Sequence, residues 1–579
     1  VAGTITCAER LWQTAERGVL ARIGWAALIL ATLYIGYFSY LGTIGFVGPD
    51  EPRYAWIARD MAETGDWVTP RLYGRPWFEK PPLYYWEAAV SFKLFGVSEA
   101  AARLPSAFSA LLATLGLAWL AWRVHGPGCA RWLLLLLPTT VGTIGFSHAA
   151  ATDMPFSAMV TLAMVIAAVP LGFVQKAPGE VLDVSSGAGA SATPGSHIAS
   201  LLAFGFLLGL AVLAKGPAGV ILCGGAVFLW ALLTKRWRTA FRLLHPVAVA
   251  AFCATALPWY ILCARRNPDF FRVFIVEHNF KRYLTPEFQH IQPWWYYAPI
   301  LLIALLPWTI TTAVDGKLPN ASGETPEQKN LRLLLLCFAL FTSVFFTISK
   351  SKLPGYILPA VLPLAFLLAV GIARKFKERR SEKRTALAFA ATILALAAGL
   401  FRYAWVTPLG ADILPAPWTL GVCAPLFLGA LTGFVLILRR KAFVAAIAMQ
   451  IALLLAILGL GSGLRWMDPQ LSARGILAVA RRSGRESLPA NVLVYRVPRG
   501  IWYGLNFYLH REIPEWDPAK AAGDLRTVVF APYSKIKAAE QAGFSCPDAI
   551  VFPAAFACRR EPALSERPDA SEAGAAGRN

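Results

Sequence analysis

The sequence predicts an all-α, polytopic membrane protein carrying a small α/β domain toward its C-terminal end, and three observations predict it. Of 579 residues, 56% are apolar and only 15% charged, with a mean hydropathy of +0.52; a large water-soluble enzyme does not have that balance. Runs long enough to cross a hydrocarbon core of about 30 Å, at about 1.5 Å per residue, recur along most of the chain. Beyond Leu464 the runs stop, and short β-type segments alternate with helical ones.

Thirteen membrane spans are expected, at 23–44, 104–123, 130–147, 154–174, 198–214, 216–233, 245–264, 294–313, 331–348, 355–373, 385–404, 416–438 and 442–464. The first is too long for a cleaved signal peptide and has no small-residue cleavage site, so it reads as a retained anchor with a cytoplasmic N-terminus. Counting outward from it, the clusters Lys235, Arg236, Arg238, Arg242, then Arg374, Lys375, Lys377, and then Arg439, Arg440, Lys441 all fall on the cytoplasmic side, as the positive-inside rule requires. The basic residues behind the formal charge of +21 sit mostly in short connections such as these. They form no basic, aromatic-interleaved soluble domain, so nucleic acid is excluded as a partner, and anionic lipid headgroups are the secondary use of such clusters.

The expected organisation is a membrane domain over 1–464, with a first outer loop at 45–103 and a later one at 265–293, then an α/β domain over 465–560 and a disordered tail over 561–579. Val184 to Ser200, rich in Gly, Ser and Ala, is a flexible cytoplasmic connection. In the first loop Tyr54, Ile57, Ala58 and Met61 share a helical face, and a second helix runs from Leu83 to Phe95; both are expected to lie on the membrane, with Tyr84, Tyr85 and Trp86 as interface anchors. Strands are expected at 491–496 and 527–531. The nine cysteines have no metal-ligand spacing, and only Cys546 and Cys558, in the polar C-terminal region, are placed to form a disulfide.

The expected outer segments carry the chemistry. Gly48-Pro49-Asp50-Glu51-Pro52-Arg53-Tyr54 sets two carboxylates at the end of the first span, where they grip a polar group or cap the helix beginning at Pro52. In Phe78-Glu79-Lys80-Pro81-Pro82 the prolines fix the chain that holds Lys80, a phosphate ligand or a snorkelling lysine. Asp153 begins an apolar run beside Thr152, as a cap or as a second outer acid. The turn Ser349-Lys350-Ser351-Lys352-Leu353-Pro354-Gly355-Tyr356 puts Lys350 and Lys352 on the outer side against the positive-inside rule, which an anionic ligand explains, with the Tyr356 hydroxyl nearby. The later loop offers Arg265, Arg266 and His278. A divalent cation is the one cofactor with candidate ligands, Glu79 and His278, against an ordinary hydrogen bond as the default.

These motifs resemble those of the lipid A aminoarabinose transferases, membrane glycosyltransferases of the GT-C class related to the protein O-mannosyltransferases. The resemblance implies a GT-C helical body and an inner-membrane enzyme, acting as a monomer on the periplasmic face. It would move 4-amino-4-deoxy-L-arabinose from undecaprenyl phosphate to the phosphates of lipid A, conferring resistance to polymyxin and cationic antimicrobial peptides. By matched position, Asp50 and Asp153 are its outer acidic residues, Lys80, Arg265 and Tyr356 hold the lipid-linked phosphate, and Glu79 supports Lys80. Two alternatives remain open: a GT-C transferase moving another polyprenyl-linked sugar to protein or glycan, and a transporter or flippase for a lipid-linked sugar.

Overall fold

The computed structural model describes residues 18–174, 194–284, 291–313, 323–379, 381–406, 415–482, 491–518, 527–544, 546 and 556–559. Most of the 184–200 connection and the whole 561–579 tail lie outside them. The chain divides into two compact units. The first comprises Val1–Leu41 and Ile57–Gly463, and the second Gly42–Trp56 and Leu464–Asn579. The Asp50 stretch thus groups with the C-terminal residues, although it falls within the expected 1–464 segment.

In the first unit, nine helices among the described residues are long and apolar enough to cross a membrane, or ten if Pro127–Thr139 and Val141–Ser147, bent by 62°, count as one span. Three of the remaining expected spans are shorter or broken. Asp153–Ala167 and Ala218–Thr234 are short apolar helices, and the 294–313 run divides into Tyr297–Ala304 and Thr309–Ala313 around Pro307, which cannot donate a backbone hydrogen bond. The protein is multi-pass. Its helices pack in long pairs, among them Pro246–Arg266 and Asp153–Ala167, both against Pro194–Lys215.

The first-loop helix Leu83–Phe95 matches expectation in extent, but two of its three expected interface anchors are turned into protein, Trp86 being half-buried. Tyr84 and Tyr85 are fully buried, and the Tyr84 hydroxyl donates to Ala102 O at 2.9 Å. Likewise Tyr54, Ile57, Ala58 and Met61, on Asp50–Thr64, are buried in protein and do not face lipid. An apolar stripe reads the same whether it meets lipid or a neighbouring helix, so the pattern fixed the helix and left its partner open.

The second unit holds a three-stranded sheet in the order β3-β4-β5, where β3 is Asn491–Val494, β4 Thr527–Ala531 and β5 Phe556–Arg559; β1 (Arg71–Leu72) and β2 (Arg75–Pro76) form a small hairpin in the first unit. β3 and β4 run parallel with Asn491 opposite Thr527, and β5 is antiparallel to β4 with Val528 opposite Arg559. Parallel neighbours need a crossover, and the helix Arg499–Leu509 lies in that connection. One cluster is built from Val492, Val494, Ile501, Leu505, Val528 and Phe530, and a second from Trp516, Val529, Ala539, Phe544 and Cys558. Cys546 and Cys558 are joined as a disulfide. The 42–56 segment is stitched to this unit through Gly45 N–H to Asp468 Oδ1 at 2.7 Å, Phe46 N–H to the Tyr508 hydroxyl at 3.0 Å, and Arg474 to the Gly42 and Thr43 carbonyls.

Candidate active site

Four segments that the sequence assigns to one side of the membrane meet in the first unit around a cavity of about 340 Å³, within the size range of small-ligand sites. Its polar lining includes Glu79 and Lys80 from the first loop, Lys215 from the end of Pro194–Lys215, His278 from the later loop, and Ser351 and Tyr356 from the lysine-rich turn. Its apolar wall includes Ile221, Phe274, Phe345 and Phe346.

Each cation here is held by a carboxylate. Lys80 Nζ lies 3.4 Å from Glu79 Oε1, with both side chains nearly buried, and the two following prolines fix the backbone beneath them. Lys215 Nζ reaches Asp153 Oδ1 at 2.5 Å, with side-chain exposures of 10% and 21%, and sits 4.7 Å above the Tyr356 ring and 5.5 Å from that of Phe156. A cation over an aromatic face gains about 0.5–2 kcal/mol as it is desolvated. Asp153 is therefore not a plain helix cap. It begins Asp153–Ala167, but its carboxylate is committed to a lysine 62 residues away. Gly355 is what lets the turn approach, since a Cβ there would lie 2.5 Å from Asp153 Oδ1.

His278 enters on an unusual element, a π-helix over Arg272–Lys281. Such windings recur at functional sites because the wider turn re-aims side chains. Just past this π-helix, Tyr283 donates its hydroxyl to Phe345 O at 2.8 Å, near the end of Pro326–Ile348, and accepts at its carbonyl from Lys350 N–H in the turn at 3.0 Å. His278 and Glu79 line the same cavity, but among the described residues no three His, Cys, Asp or Glu side chains gather to hold a metal ion.

Three expected ligands are not on the cavity wall. Arg265 is exposed at the end of Pro246–Arg266, and its neighbour Arg266 pairs with Asp66 at 3.1 Å, clasping the first loop. Lys350 is exposed. Lys352 is buried and donates to Gln292 O at 3.2 Å; burial, helped by Lys350, lowers its pKa. In the second unit Asp50 Oδ1 pairs with Arg53 Nη2 at 2.5 Å, and Arg53 also lies over the Tyr503 ring. Glu51, buried, accepts from Val47 N–H at 2.7 Å, closing the loop before the helix.

Lys215 is the residue that sequence reasoning passed over. The signal was there: a lysine ending an apolar run, followed by Gly216-Pro217, on what the span count makes the outer side, where lysines are disfavoured.

Residues 25–274 match the family model for dolichyl-phosphate-mannose-protein mannosyltransferase. The chain is 33% identical over 356 residues to the undecaprenyl phosphate-alpha-4-amino-4-deoxy-L-arabinose arabinosyl transferase of Edwardsiella ictaluri, covering 61% of this chain and 60% of that one. It is 35% identical over 321 residues to a protein of the same name, numbered 2, from Sodalis glossinidius, covering 55% and 54%. The chain thus spans about 60% of the length of the curated relatives it matches. Among solved structures, ArnT from Cupriavidus metallidurans bound to undecaprenyl phosphate is 24% identical, with a TM-score of 0.70 over 94% of this chain and 99% of that chain. The chain thus resembles arabinosyl transferases in sequence over about three-fifths of its length, and shares the fold of the Cupriavidus structure over nearly all of it.

Proposed function

We propose that the protein is an integral membrane glycosyltransferase of the inner membrane. In this reading it moves 4-amino-4-deoxy-L-arabinose from undecaprenyl phosphate to the phosphates of lipid A on the periplasmic face, and so lowers binding of polymyxin-like cationic peptides. The observation that carries the reading is the cavity, which Lys80 and Lys215, each held by a carboxylate, line together with Tyr356 beside an apolar wall. A lipid-linked phosphate needs that combination: fixed cations for the phosphate and an apolar surface for the chain. The relatives' names supply the sugar and the lipid carrier.

The step is a direct displacement with inversion. An oxygen of the acceptor phosphate attacks the anomeric carbon as the bond from that carbon to the undecaprenyl phosphate oxygen breaks, and the electron pair leaves with the phosphate. The acceptor is already ionised near neutral pH, so no base has to remove a proton. Lys80 and Lys215 stabilise the charge gathering on the departing phosphate, Tyr356 adds a hydroxyl, and Asp153 and Glu79 hold the two ammonium groups in place. The role of Asp50, orienting the acceptor or pairing with the sugar's amino group, rests on its sequence motif, as does that of Arg265 on the donor phosphate. Glu79 and His278 suit only a divalent cation that takes its other ligands from substrate phosphate and water, as Mg²⁺ commonly does.

The test is transfer by purified protein from the lipid-linked sugar to lipid A, with the product read by mass spectrometry. Wild type is compared with D50N, K80A, D153N and K215A, with and without chelator. Product that forms without an ion gradient and is lost in K80A and D153N is the expected result; transport without product, or full activity in all four variants, overturns the proposal. The match to a mannosyltransferase model favours a second reading, a different polyprenyl-linked sugar or a protein acceptor, which a panel of donors and acceptors in the same assay separates.

A further inference from the structure

A second cavity of about 340 Å³ lies in the first unit away from the residues discussed so far. Its walls come from Pro194–Lys215 (Phe204, Leu208), Ala218–Thr234 (Val220, Gly224, Val227, Phe228), the short segment from Trp237 to Leu244, and Pro246–Arg266 (Val249, Phe252). The Ala218–Thr234 helix serves both cavities from different faces. Ala218 and Ile221 face the candidate active site, whereas Val220, Gly224, Val227 and Phe228, at i, i+4, i+7 and i+8, line the second cavity.

Two features set this cavity apart from an ordinary lipid-facing surface. Gly224 and Gly225 are adjacent, but a Cβ on Gly225 would strike the Phe341 ring, whereas one on Gly224 would meet nothing within 4 Å. Gly224, exposed on the cavity side, therefore leaves space open and packs no helix, whereas Gly205 on another wall lies against the Ala248 carbonyl. The second feature is charge. The helix ends at Thr234, Lys235 takes a left-handed turn with φ +58°, and the chain doubles into the Trp237–Leu244 segment. Lys235, Arg236, Arg238 and Arg242 lie exposed on this connection. Among the described residues, Lys235, Arg236 and Arg238 form no ion pair, and Arg242 donates to Pro170 O at 3.4 Å.

We infer that this cavity is a binding site for an anionic phospholipid, with one acyl chain between the helices and the phosphate on Lys235, Arg236 and Arg238. The charge complementarity commits the site to an anionic headgroup, since each basic residue near an anionic lipid surface strengthens the attraction and a zwitterionic headgroup returns little of it. Trp237 lines the cavity beside these basic residues, a place its amphipathic ring suits when headgroup and chain meet there, and packs edge-on to Phe228 with ring centroids 5.4 Å apart.

Trp237 also supplies the readout. Purified wild-type protein and W237F are reconstituted in phosphatidylcholine nanodiscs with increasing fractions of phosphatidylglycerol or phosphatidylcholine brominated on the acyl chain, and the fluorescence difference isolates the Trp237 component from the other tryptophans. Quenching by brominated phosphatidylglycerol should saturate at a mole fraction about tenfold lower than for brominated phosphatidylcholine. R236E/R238E should bring the two lipids within about twofold of each other, and G224F, which fills the open space, should remove the saturable component for both. Equal quenching by the two lipids in wild type means ordinary annular lipid and overturns the proposal, as does saturable quenching unchanged in G224F.

Discussion

The Asp153–Lys215 pair is open to a double-mutant cycle over D153N and K215M. The groups meet at 2.5 Å and are 21% and 10% exposed. An exposed ion pair contributes about 0–1 kcal/mol, whereas removing one partner of a fully buried pair costs about 3–5 kcal/mol, because the survivor is an uncompensated charge. Intermediate burial puts each single substitution at about 2–3 kcal/mol of lost stability. Methionine keeps the lysine stem and asparagine the aspartate shape, so the double variant has no orphan charge and should return to within about 1 kcal/mol of wild type, a coupling of about 2–3 kcal/mol. Turnover should not follow stability. Loss of one fixed donor to a developing anion slows a reaction by about 10²–10³-fold, and a second substitution cannot restore the missing ammonium. Denaturant unfolding in detergent, measured beside the lipid-to-lipid transfer assay, reads both quantities. If the double variant recovers stability and turnover together, the pair is structural and the assignment of Lys215 to the phosphate is refuted.

Gly355 is tested without touching a charge. In G355A the new methyl would lie 2.5 Å from Asp153 Oδ1 and 2.9 Å from Phe146, so a strain of about 1–3 kcal/mol should displace Asp153; turnover should fall while binding of an apolar probe in the cavity changes little. Glu87, on the Leu83–Phe95 helix, has a solvent-shielded Oε2 with no hydrogen-bond partner, and burial raises its pKa from 4.5 to about 8. A raised carboxyl favours the protonated folded state. Its contribution is therefore whole below pH 4.5 and is lost between 4.5 and about 8, at up to about 1.4 kcal/mol per pH unit. E87Q should flatten that fall in a series of unfolding curves across pH, and an unchanged slope would remove Glu87 as its source. The Cys546–Cys558 bridge closes a 12-residue separation, for which loop-closure arguments give about 3 kcal/mol; C546S/C558S should expose the chain after Leu464 to protease in the full-length protein, and equal protection would show that the bridge adds little.

The long helices were legible because lipid and packed protein ask for the same apolar run, and the lysine-bearing turns drew notice because lysines there break a rule that most loops obey. Lys80 and Tyr356 line the cavity, whereas Arg265, Lys350 and Lys352, named for the same ligand, stand off its wall. Charge and side of the membrane are sequence properties, but whether a basic side chain turns inward depends on its neighbours. Arg266 and Lys352 found protein partners in Asp66 and Gln292, and no spacing rule reaches across such distances. The same limit hid the Asp153–Lys215 pair, since a helix cap and an ion pair with a distant lysine look identical in one dimension. The grouping of Gly42–Trp56 with the C-terminal unit rests on backbone and side-chain bonds to Asp468, Arg474 and Tyr508, more than 400 residues away in sequence, and no local pattern announces them.

Lys215 changes how the proposed chemistry works. With Lys80 alone, the cavity is a single cation waiting for a phosphate. With Lys215 it becomes two lysine–carboxylate pairs, Lys80 with Glu79 and Lys215 with Asp153, balanced in charge before substrate arrives. A sugar phosphodiester brings one negative charge, which becomes about two as the sugar leaves, so the demand on the lysines peaks late in the reaction. A lysine shared between its carboxylate and the phosphate can shift toward the phosphate as that charge grows. The interaction is then strongest in the transition state, where it lowers the barrier, and weaker in the ground state, where it would only tighten binding. In the proposed reaction the carboxylates thus act without ever taking a proton: they keep two desolvated ammonium groups in position at a cavity with an apolar wall, ready for a charge that appears only as the sugar leaves.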